Sequence, residues 1–231
     1  MCFSAGVSFG ASAVLGGIGA ASIASNTSSE RRLFAATPLL FAAQQAAEGF
    51  VWRTMGHSND GDLQRAAVNL FLAFALVLWP VWLPLSLERF EQNPVRKRLL
   101  RALVLIGACV SVGSATMLIR NQATASIAGR SVHYDFAGDQ GTVISLLMLA
   151  AYLVPTLAPY LVTTAPKARR IGVMLVFSVA AAAYVQKEAL TSVWCFFGSI
   201  LSGLILLSVR EMRSANASTM TVWKSAPTQQ R

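Results

Sequence analysis

The hydrophobic pattern of the chain is a series of seven long apolar segments separated by short polar stretches. The segments cover approximately residues 2–25, 33–55, 66–87, 99–119, 141–162, 171–186 and 191–209. Each is close to the roughly 20 residues that an α-helix needs to cross a membrane. The pattern predicts an all-α fold, a bundle of seven transmembrane helices in residues 1–210, with a disordered cytoplasmic tail in residues 211–231.

The amino-acid composition also indicates a membrane protein. Of the 231 residues, 55% are hydrophobic and only 13% are charged, whereas about 25% are charged in an ordinary soluble domain. Too little of the chain lies outside the apolar segments to form a separate soluble domain. We therefore expect a multi-pass protein of the cell (inner) membrane, whose main partner is the lipid bilayer.

The basic residues gather in alternate loops. One side of the predicted bundle carries only Arg53, Arg65, Arg120, Arg130 and Lys187. The positive-inside rule makes the richer side cytoplasmic and places the amino terminus outside and the carboxyl terminus inside. The net charge of +9 then reflects orientation and contact with anionic lipid head groups at the cytoplasmic face, and it does not require nucleic acid. The basic residues on the cytoplasmic side are Arg31, Arg32, Arg89, Arg96, Lys97, Arg98, Arg101, Lys167, Arg169, Arg170, Arg210, Arg213, Lys224 and Arg231.

The second apolar segment carries a narrow polar face. At 100° per residue, an arc of about 100° contains Gln44, Gln45, Glu48 and Trp52. An ionisable side chain near the middle of a membrane costs roughly 3 kcal/mol and marks a candidate functional site. The structural alternative is a hydrogen-bonded knot that joins helices. Because a carboxylate is costlier to bury than an amide, Glu48 favours the functional interpretation.

Other polar side chains of the predicted topology fall in the same outer half of the bundle. One outward-facing pocket between segments one, two and seven, roofed by the loop that bears His133, would satisfy most of them. We therefore take Gln44, Gln45, Glu48, Trp52 and Trp194 as candidate ligand-binding residues. The remaining members of the set are Cys2, His57, His133, Tyr134, Asp135, Tyr184, Glu188 and Cys195.

The polar residues of the outer half suggest two kinds of chemistry, metal binding and hydrolysis. Imidazole, thiolate and carboxylate groups bind zinc or copper, so His133, Glu48, Cys2 and Cys195 are candidate metal ligands, with His57 as a further donor. No HxxxH, HExxH or CxxC motif accompanies them. A cysteine hydrolase with Cys2 or Cys195 beside His133 is also conceivable, although no GxSxG motif is present. Catalytic residues are therefore not assigned.

The first segment has a seam of small residues, and two later segments contain proline pairs. Small residues three and four apart let a neighbouring helix approach closely, so the seam is a candidate docking face for a partner helix. Proline at Pro80, Pro84, Pro155 and Pro159 predicts local breaks or bends. The members of the seam are Gly6, Gly10, Ala13, Gly17, Ala20 and Ala24.

Four motifs together resemble a family of small bacterial multi-pass membrane proteins known only as a domain of unknown function. They are the opening MCFSAGVSFGA, the QQAAEGFVW of segment two, the HY of the outer loop and the VWCFFGS of segment seven. The resemblance extends over most of the chain except the carboxyl tail. It implies no activity. The positions that it implies for closer study are Cys2, Phe3, Ser4, Gln44, Gln45, Glu48, Trp52, His133, Trp194 and Cys195.

The sequence thus predicts an integral membrane protein of unknown activity with an outward-facing polar pocket around Glu48. The leading hypothesis is that the pocket binds a small ligand or a metal ion, as in a sensor or a transport-like protein. The alternatives are a membrane-embedded metal- or cysteine-dependent hydrolase acting on lipid, and a structural subunit that docks through the Gly6, Gly10 and Gly17 seam. The apolar inner halves of the segments disfavour alternating access and favour a site open on one side.

Reporter fusions test the predicted topology. A fluorescent reporter that matures only in the cytoplasm should fluoresce when fused to Arg231, because the basic loops place the carboxyl terminus inside. A phosphatase reporter that folds only outside should be active when inserted at Asn59 and inactive at Arg231. Phosphatase activity at Arg231 would reverse the orientation and every depth assignment.

Overall fold

A computed structural model describes residues 4–55, 61–121, 123–128, 131–136, 142–185 and 201–214. Most of these residues are helical. The helices are α1 (Ala5–Ser25), α2 (Arg32–Thr54), α3 (Gly61–Leu72), α4 (Trp79–Glu88), α5 (Pro94–Arg120), α6 (Thr142–Val162) and α7 (Ala168–Val185). Residues 201–214 are also helical, so this last helix continues past residue 210. The strands are β1 (Ala123–Ala128) and β2 (Ser131–Phe136).

Short loops make successive helices antiparallel neighbours. The loops 26–31, 89–93 and 163–167 lie at one end of the bundle, here called the inner end, and the opposite end is called the outer end. The side chain of Asn93 accepts the N–H groups of Val95 and Arg96 at 3.0 and 3.1 Å. Pro94 follows as the first residue of α5. This pairing of Asn and Pro sets the start of α5.

Three helical stretches of the described chain are long and apolar enough to cross a membrane. They are Ala5–Ser25, Gly61–Glu88 and Pro94–Arg120, and Leu147–Val162 forms a shorter apolar helix. These helices indicate a membrane protein. α2 is not among them, since Gln44, Gln45 and Glu48 lower its hydropathy. The seven-span arrangement and its orientation stay predictions.

The lateral surface of the bundle, along the sides of the helices, is apolar. Large hydrophobic side chains are exposed on α1, α5, α6 and α7, and Leu105, Val112, Ile119 and Phe177 are among the most exposed, at 69%, 68%, 85% and 73%. A soluble monomer rarely exposes contiguous apolar area on this scale. Lipid is the solvent that suits such a surface.

Two apolar clusters form the interior. The first includes Leu15, Phe34, Trp79, Leu100 and Ile205, and it extends from the middle of the bundle to the inner end. The second lies towards the outer end between α2, α3 and the two strands. Its buried members are Ala47, Val51, Ala67, Val68, Phe71, Leu72, Ala75, Ala123 and Val132.

The helix that contains Pro80 changes register and remains continuous. Ala73–Leu78 is a π-helical turn that joins α3 to α4, so Gly61–Glu88 is one rod, named here the α3–α4 rod. Pro80 lacks the N–H that an α-helix would donate to the residue four before it. Carbonyl groups of the turn instead accept hydrogen bonds from neighbouring helices. Tyr152 Oη donates to the Ala75 oxygen at 2.7 Å, and Ser111 Oγ donates to the Val77 oxygen at 2.6 Å.

The second proline pair does not interrupt its helix. α6 is continuous from Thr142 to Val162 through Pro155 and Pro159. Thr156 Oγ1 donates to the backbone oxygens of Tyr152 and Leu153 at 2.9 and 3.0 Å. The sequence predicted a break or a bend at these prolines. The break does not occur, and the bend stays a prediction.

α4 and α5 cross at backbone contact. A Cβ atom on Gly107 would lie 1.9 Å from the carbonyl oxygen of Pro80. Only a residue without a side chain permits this approach, and the neighbouring atom is backbone that cannot rotate away. The close crossing also lets Ser111 of α5 reach the π-helical turn.

α1 and α2 pack as an antiparallel pair through small residues. A Cβ atom on Gly19 would lie 2.5 Å from Leu39, and one on Gly49 would lie 2.8 Å from the ring of Phe9. Ser12 Oγ donates to the Ala42 oxygen at 2.8 Å. The predicted small-residue seam of α1 is on the other side of the helix and is exposed.

Glu91 joins two inner loops. Its side chain is buried, at 1% exposure. It accepts the N–H groups of Asn93 (3.0 Å) and Thr164 (2.7 Å) and the hydroxyl groups of Thr163 (3.0 Å) and Thr164 (2.8 Å). Burial alone would raise the pKa of this carboxyl, but the four hydrogen bonds together hold the pKa below its usual range.

Residues 123–128 and 131–136, which were predicted to lie in an outer loop, form two paired strands, called here the β-hairpin. β1 and β2 are antiparallel, with Ala123 opposite Phe136 and Ser126 opposite His133. Val132 is buried, and Tyr134 stacks on Phe71 of α3 with ring centroids 4.9 Å apart. The prediction of a wholly α-helical chain therefore missed this hairpin, whose strands are too short to show a hydropathy pattern beside the apolar segments.

The Gly107–Pro80 contact predicts a large effect of one methyl group. Gly107→Ala should lower the stability by about 1–3 kcal/mol, because α5 must move away from α4. Thermal unfolding of the detergent-purified protein measures the change. Gly113→Ala on the same helix is the matched control, since nothing lies within 4 Å of its Cβ position. Equal unfolding temperatures for the two variants would contradict the close crossing.

The lowered pKa of Glu91 predicts an acid-sensitive contribution to stability. The charged carboxylate stabilises the fold above the unfolded-state pKa of about 4.3, and this contribution is lost as the pH falls through the lower folded-state pKa. Glu91→Gln should therefore be less stable than wild type at neutral pH and should approach it on acidification.

Thermal unfolding across this pH range measures the difference between the two proteins. Glu30→Gln, which changes an exposed carboxylate at the same end, should follow wild type throughout. A constant gap between Glu91→Gln and wild type at every pH would show that the ionised state of Glu91 does not stabilise the fold.

Candidate functional site

The polar face of α2 points into the bundle. Gln44 and Glu48 are 0% exposed and Gln45 is 1% exposed. The three side chains with the greatest need for polar partners therefore avoid the lipid-facing surface. This placement agrees with the prediction that they form one buried polar group.

Two tryptophans of α4 hold this face. Trp79 Nε1 donates to Gln44 Oε1 at 2.7 Å, and Trp82 Nε1 donates to Thr37 Oγ1 at 3.1 Å. Trp79 also stacks on Phe41 of α2, with ring centroids 4.2 Å apart and an interplanar angle of 24°. The aromatic contact sets the orientation of the indole, so its N–H is aimed at the glutamine.

Glu48 lies beside Gln45 on the same helix. Gln45 Nε2 donates to Glu48 Oε2 at 3.4 Å, which is long for a hydrogen bond. An ionisable side chain buried inside a bundle of apolar helices is costly and marks a candidate functional site. Glu48 is therefore the centre of the candidate site.

Two buried polar groups near this level lack partners. Phe9 packs on Gly49 in the antiparallel α1–α2 pair, and this register places Ser8 at the level of Glu48. Ser8 is 0% exposed, and neither its hydroxyl nor the buried indole N–H of Trp52 has a hydrogen-bond partner in the structure as described. Buried polar groups in native proteins usually have partners, including bound water. Within the described residues, Ser8 and Trp52 are thus two unsatisfied polar groups of the α1–α2 pair.

His133 lies on β2, above the outer cluster. Its Nε2 is 2.9 Å from Asp135 Oδ1, and the two side chains are 33% and 58% exposed. β2 packs through Val132 and Tyr134 in the outer cluster, where Tyr134 stacks on Phe71 of α3. The loop that was expected to roof the pocket thus contains two paired strands, and its position over Glu48 stays a prediction.

Part of the predicted site cannot be placed. Cys2, His57, Trp194 and Cys195 fall outside the described residues. Within the ranges that are described, no group of three or more His, Cys, Asp or Glu side chains is arranged to hold a metal ion. A site formed by His133 and Glu48 with the two cysteines stays a prediction, as does the cysteine hydrolase.

Trp79, Ser8 and Glu91 were not among the residues predicted from the sequence. Trp79 was counted with the apolar residues of its segment, and no local pattern shows that its N–H meets a glutamine on another helix. Ser8 lies among small residues that suggested packing alone. Glu91 belongs to the basic loop ERFEQNPVRKR, and a Thr-Thr pair after a later span was the only available sign of its partners.

The chain was compared with protein families, curated proteins and solved structures, and only the family comparison gave a match. No curated protein and no solved structure matches the chain. One protein-family model matches residues 1–220, which is nearly the whole chain and omits only the end of the tail. The chain belongs to the family of unknown function designated DUF6629.

Proposed function

We propose that this protein is a multi-pass membrane protein with one polar site, centred on Glu48 and open towards the outer end, that binds a small cationic or hydrogen-bonding ligand. The observation that supports it is the complete burial of Glu48, Gln44 and Gln45 at the level of a Ser8 hydroxyl that lacks a partner. The proposed ligand-binding residues are these three together with Trp52 and Trp194.

The energetics favour a ligand over a purely structural knot. A buried carboxylate requires a proton, a cation or strong donors. A knot that served only to join helices would satisfy its own donors, yet the Ser8 hydroxyl and the Trp52 N–H have no partner within the described segments. A bound ligand would supply what these groups lack.

The closed inner half favours a site with a single opening. Leu15, Trp79, Leu83 and Leu87 belong to the apolar cluster that extends from the middle of the bundle to the inner end. Beyond it, Glu91 ties two loops together. A polar path to the inner end is not visible among the described side chains, so binding or sensing suits the fold better than alternating access.

A metal ion remains one candidate for the ligand. Zinc or copper would take Glu48, His133, Cys2 and Cys195 as ligands, since these side chains supply the donors that both metals prefer. The hydrolase hypothesis draws support from the His133–Asp135 contact of 2.9 Å, because a carboxylate beside an imidazole orients a general base. It still requires Cys2 or Cys195 as the nucleophile, or a metal-bound water.

The subunit hypothesis draws support from the exposed seam of α1. Gly6, Gly10 and Gly17 are all exposed, and nothing lies within 4 Å of a Cβ position on Gly10 or Gly17. A partner helix could therefore approach α1 closely. This role is compatible with the Glu48 site, because the seam and the site use different surfaces.

Thermal-shift measurements on the detergent-purified protein test the Glu48 site. The probes are sodium, calcium, zinc and copper salts, simple amines and amino acids. We expect at least one probe to stabilise wild type, since saturation at 100 times Kd contributes about 2.7 kcal/mol. Glu48→Gln should remove the effect, because it removes the charge and keeps the shape. Asp62→Asn, which changes an exposed carboxylate (94% side-chain exposure) on α3, should keep it.

The same variants distinguish a ligand site from a structural knot. Without a probe, Glu48→Gln should be at least as stable as wild type, because the cost of burying an ionisable carboxyl has been removed. A loss of about 1–3 kcal/mol in Glu48→Gln, with no probe active on wild type, would show a structural knot. Metal content by mass spectrometry, with His133→Ala as a second variant, decides whether the ligand is zinc or copper.

A further inference from the structure

The α3–α4 rod carries two cavities on its surface, and neither involves Glu48. The first is a polar cavity of about 360 Å³ at the inner end, between the α1–α2 loop, the end of α4 and the first turns of α5. The second is an apolar groove of about 380 Å³ along the rod. The polar cavity is lined by Ser29, Glu30, Glu88, Arg89, Lys97 and Arg101.

The spacing of the lining residues places the groove and the polar cavity on one face of the rod. The lining of the groove runs from Leu70 to Leu85 and includes Phe74 and Trp82. Arg89 follows Leu85 by four residues, so the two share one face of the helix. A single surface of the rod therefore changes from apolar to charged as it approaches the inner end.

The charges in the polar cavity favour an anion. Arg101 Nε lies 2.8 Å from Glu88 Oε1, so these two charges compensate each other. Arg89 and Lys97 form no ion pair with the described residues, and Glu30 is the one other carboxylate that lines the cavity. Two basic side chains with this little opposition attract a phosphate group.

The dimensions of the groove suit an acyl chain. From Leu70 to Leu85 the rod rises about 22 Å. One leaflet of a bilayer has a hydrocarbon depth of about 15 Å, so an extended chain would fit along the groove. Water would hydrate such an apolar surface poorly, whereas a fatty acyl chain covers it without loss of hydrogen bonds.

We propose that this composite surface binds an anionic glycerophospholipid, with its phosphate at Arg89 and Lys97 and one acyl chain in the groove between Leu70 and Leu85. Two independent features support the same occupant, because a lipid is amphipathic and anionic and the surface is apolar and then basic. The site is independent of the proposed Glu48 site. It narrows the expected contact with anionic head groups to one place in the fold.

Native mass spectrometry of the full chain in detergent tests the proposal. Phosphatidylglycerol is titrated against phosphatidylcholine with identical acyl chains. Wild type should bind phosphatidylglycerol at least about tenfold more tightly, since each basic side chain near an anionic group contributes about 1 kcal/mol. The double variant Arg89→Gln, Lys97→Gln should lose this preference. Ala73→Leu, which fills the groove, should weaken binding of both lipids.

A matched pair of arginines provides the control. Arg169 and Arg170 are exposed in the first turn of α7 at the same end of the bundle, and Arg169→Gln, Arg170→Gln should retain the preference for phosphatidylglycerol. Equal affinity of wild type for the two lipids would overturn the proposal. So would an equal loss in the control variant, an unaffected Ala73→Leu variant, or a stable dimer that binds no lipid, which would indicate that a second copy covers the groove.

Discussion

The burial of the polar face of α2 is the constraint on which the rest of the structure depends. In hydrocarbon an amide or carboxylate finds no water, so Gln44, Gln45 and Glu48 must point into the bundle. α4 meets this requirement with Trp79, which stacks on Phe41 and donates to Gln44. The apolar cluster around Trp79 then brings α5, α7 and residues 201–214 against the same core.

The two ends of the bundle differ in chemistry. At the inner end, Glu91 accepts four hydrogen bonds that tie the α4–α5 and α6–α7 loops, and Lys167 pairs with Glu211. These contacts hold loops together, and the apolar cluster behind them separates this end from Glu48. At the outer end, a hairpin packs on α3. Glu48 is buried, and the inner end of the bundle is closed by the apolar cluster. This arrangement is the reason for proposing a site that opens only towards the outer end.

Close helix contacts explain how a chain with so few polar residues keeps its shape. Gly107 lets α5 touch the backbone of α4 at Pro80. Between α1 and α2, Gly19 admits Leu39 and Gly49 admits the ring of Phe9. In a lipid-facing bundle, packing of this kind replaces much of the hydrophobic driving force that water supplies to soluble proteins. Membership of a family of unknown function brings no activity with it, so the chemistry of Glu48 and the surface of the α3–α4 rod carry the functional argument.

The sequence by itself determined the positions of the helices and the buried face of α2, because hydropathy records which side chains avoid water. α2 and α6 begin and end within one residue of the predicted bounds, whereas α3 and α5 begin five residues earlier, where their first turns are polar. Only the tertiary structure decided which polar side chains form hydrogen bonds with each other. Trp79 meets Gln44 across 35 residues of chain, and Glu91 meets Thr163 across 72. No local pattern encodes such pairs, since each depends on how two separate helices or loops pack against each other. The same reason explains why the β-hairpin and the lack of a partner at Ser8 became visible only in the folded chain.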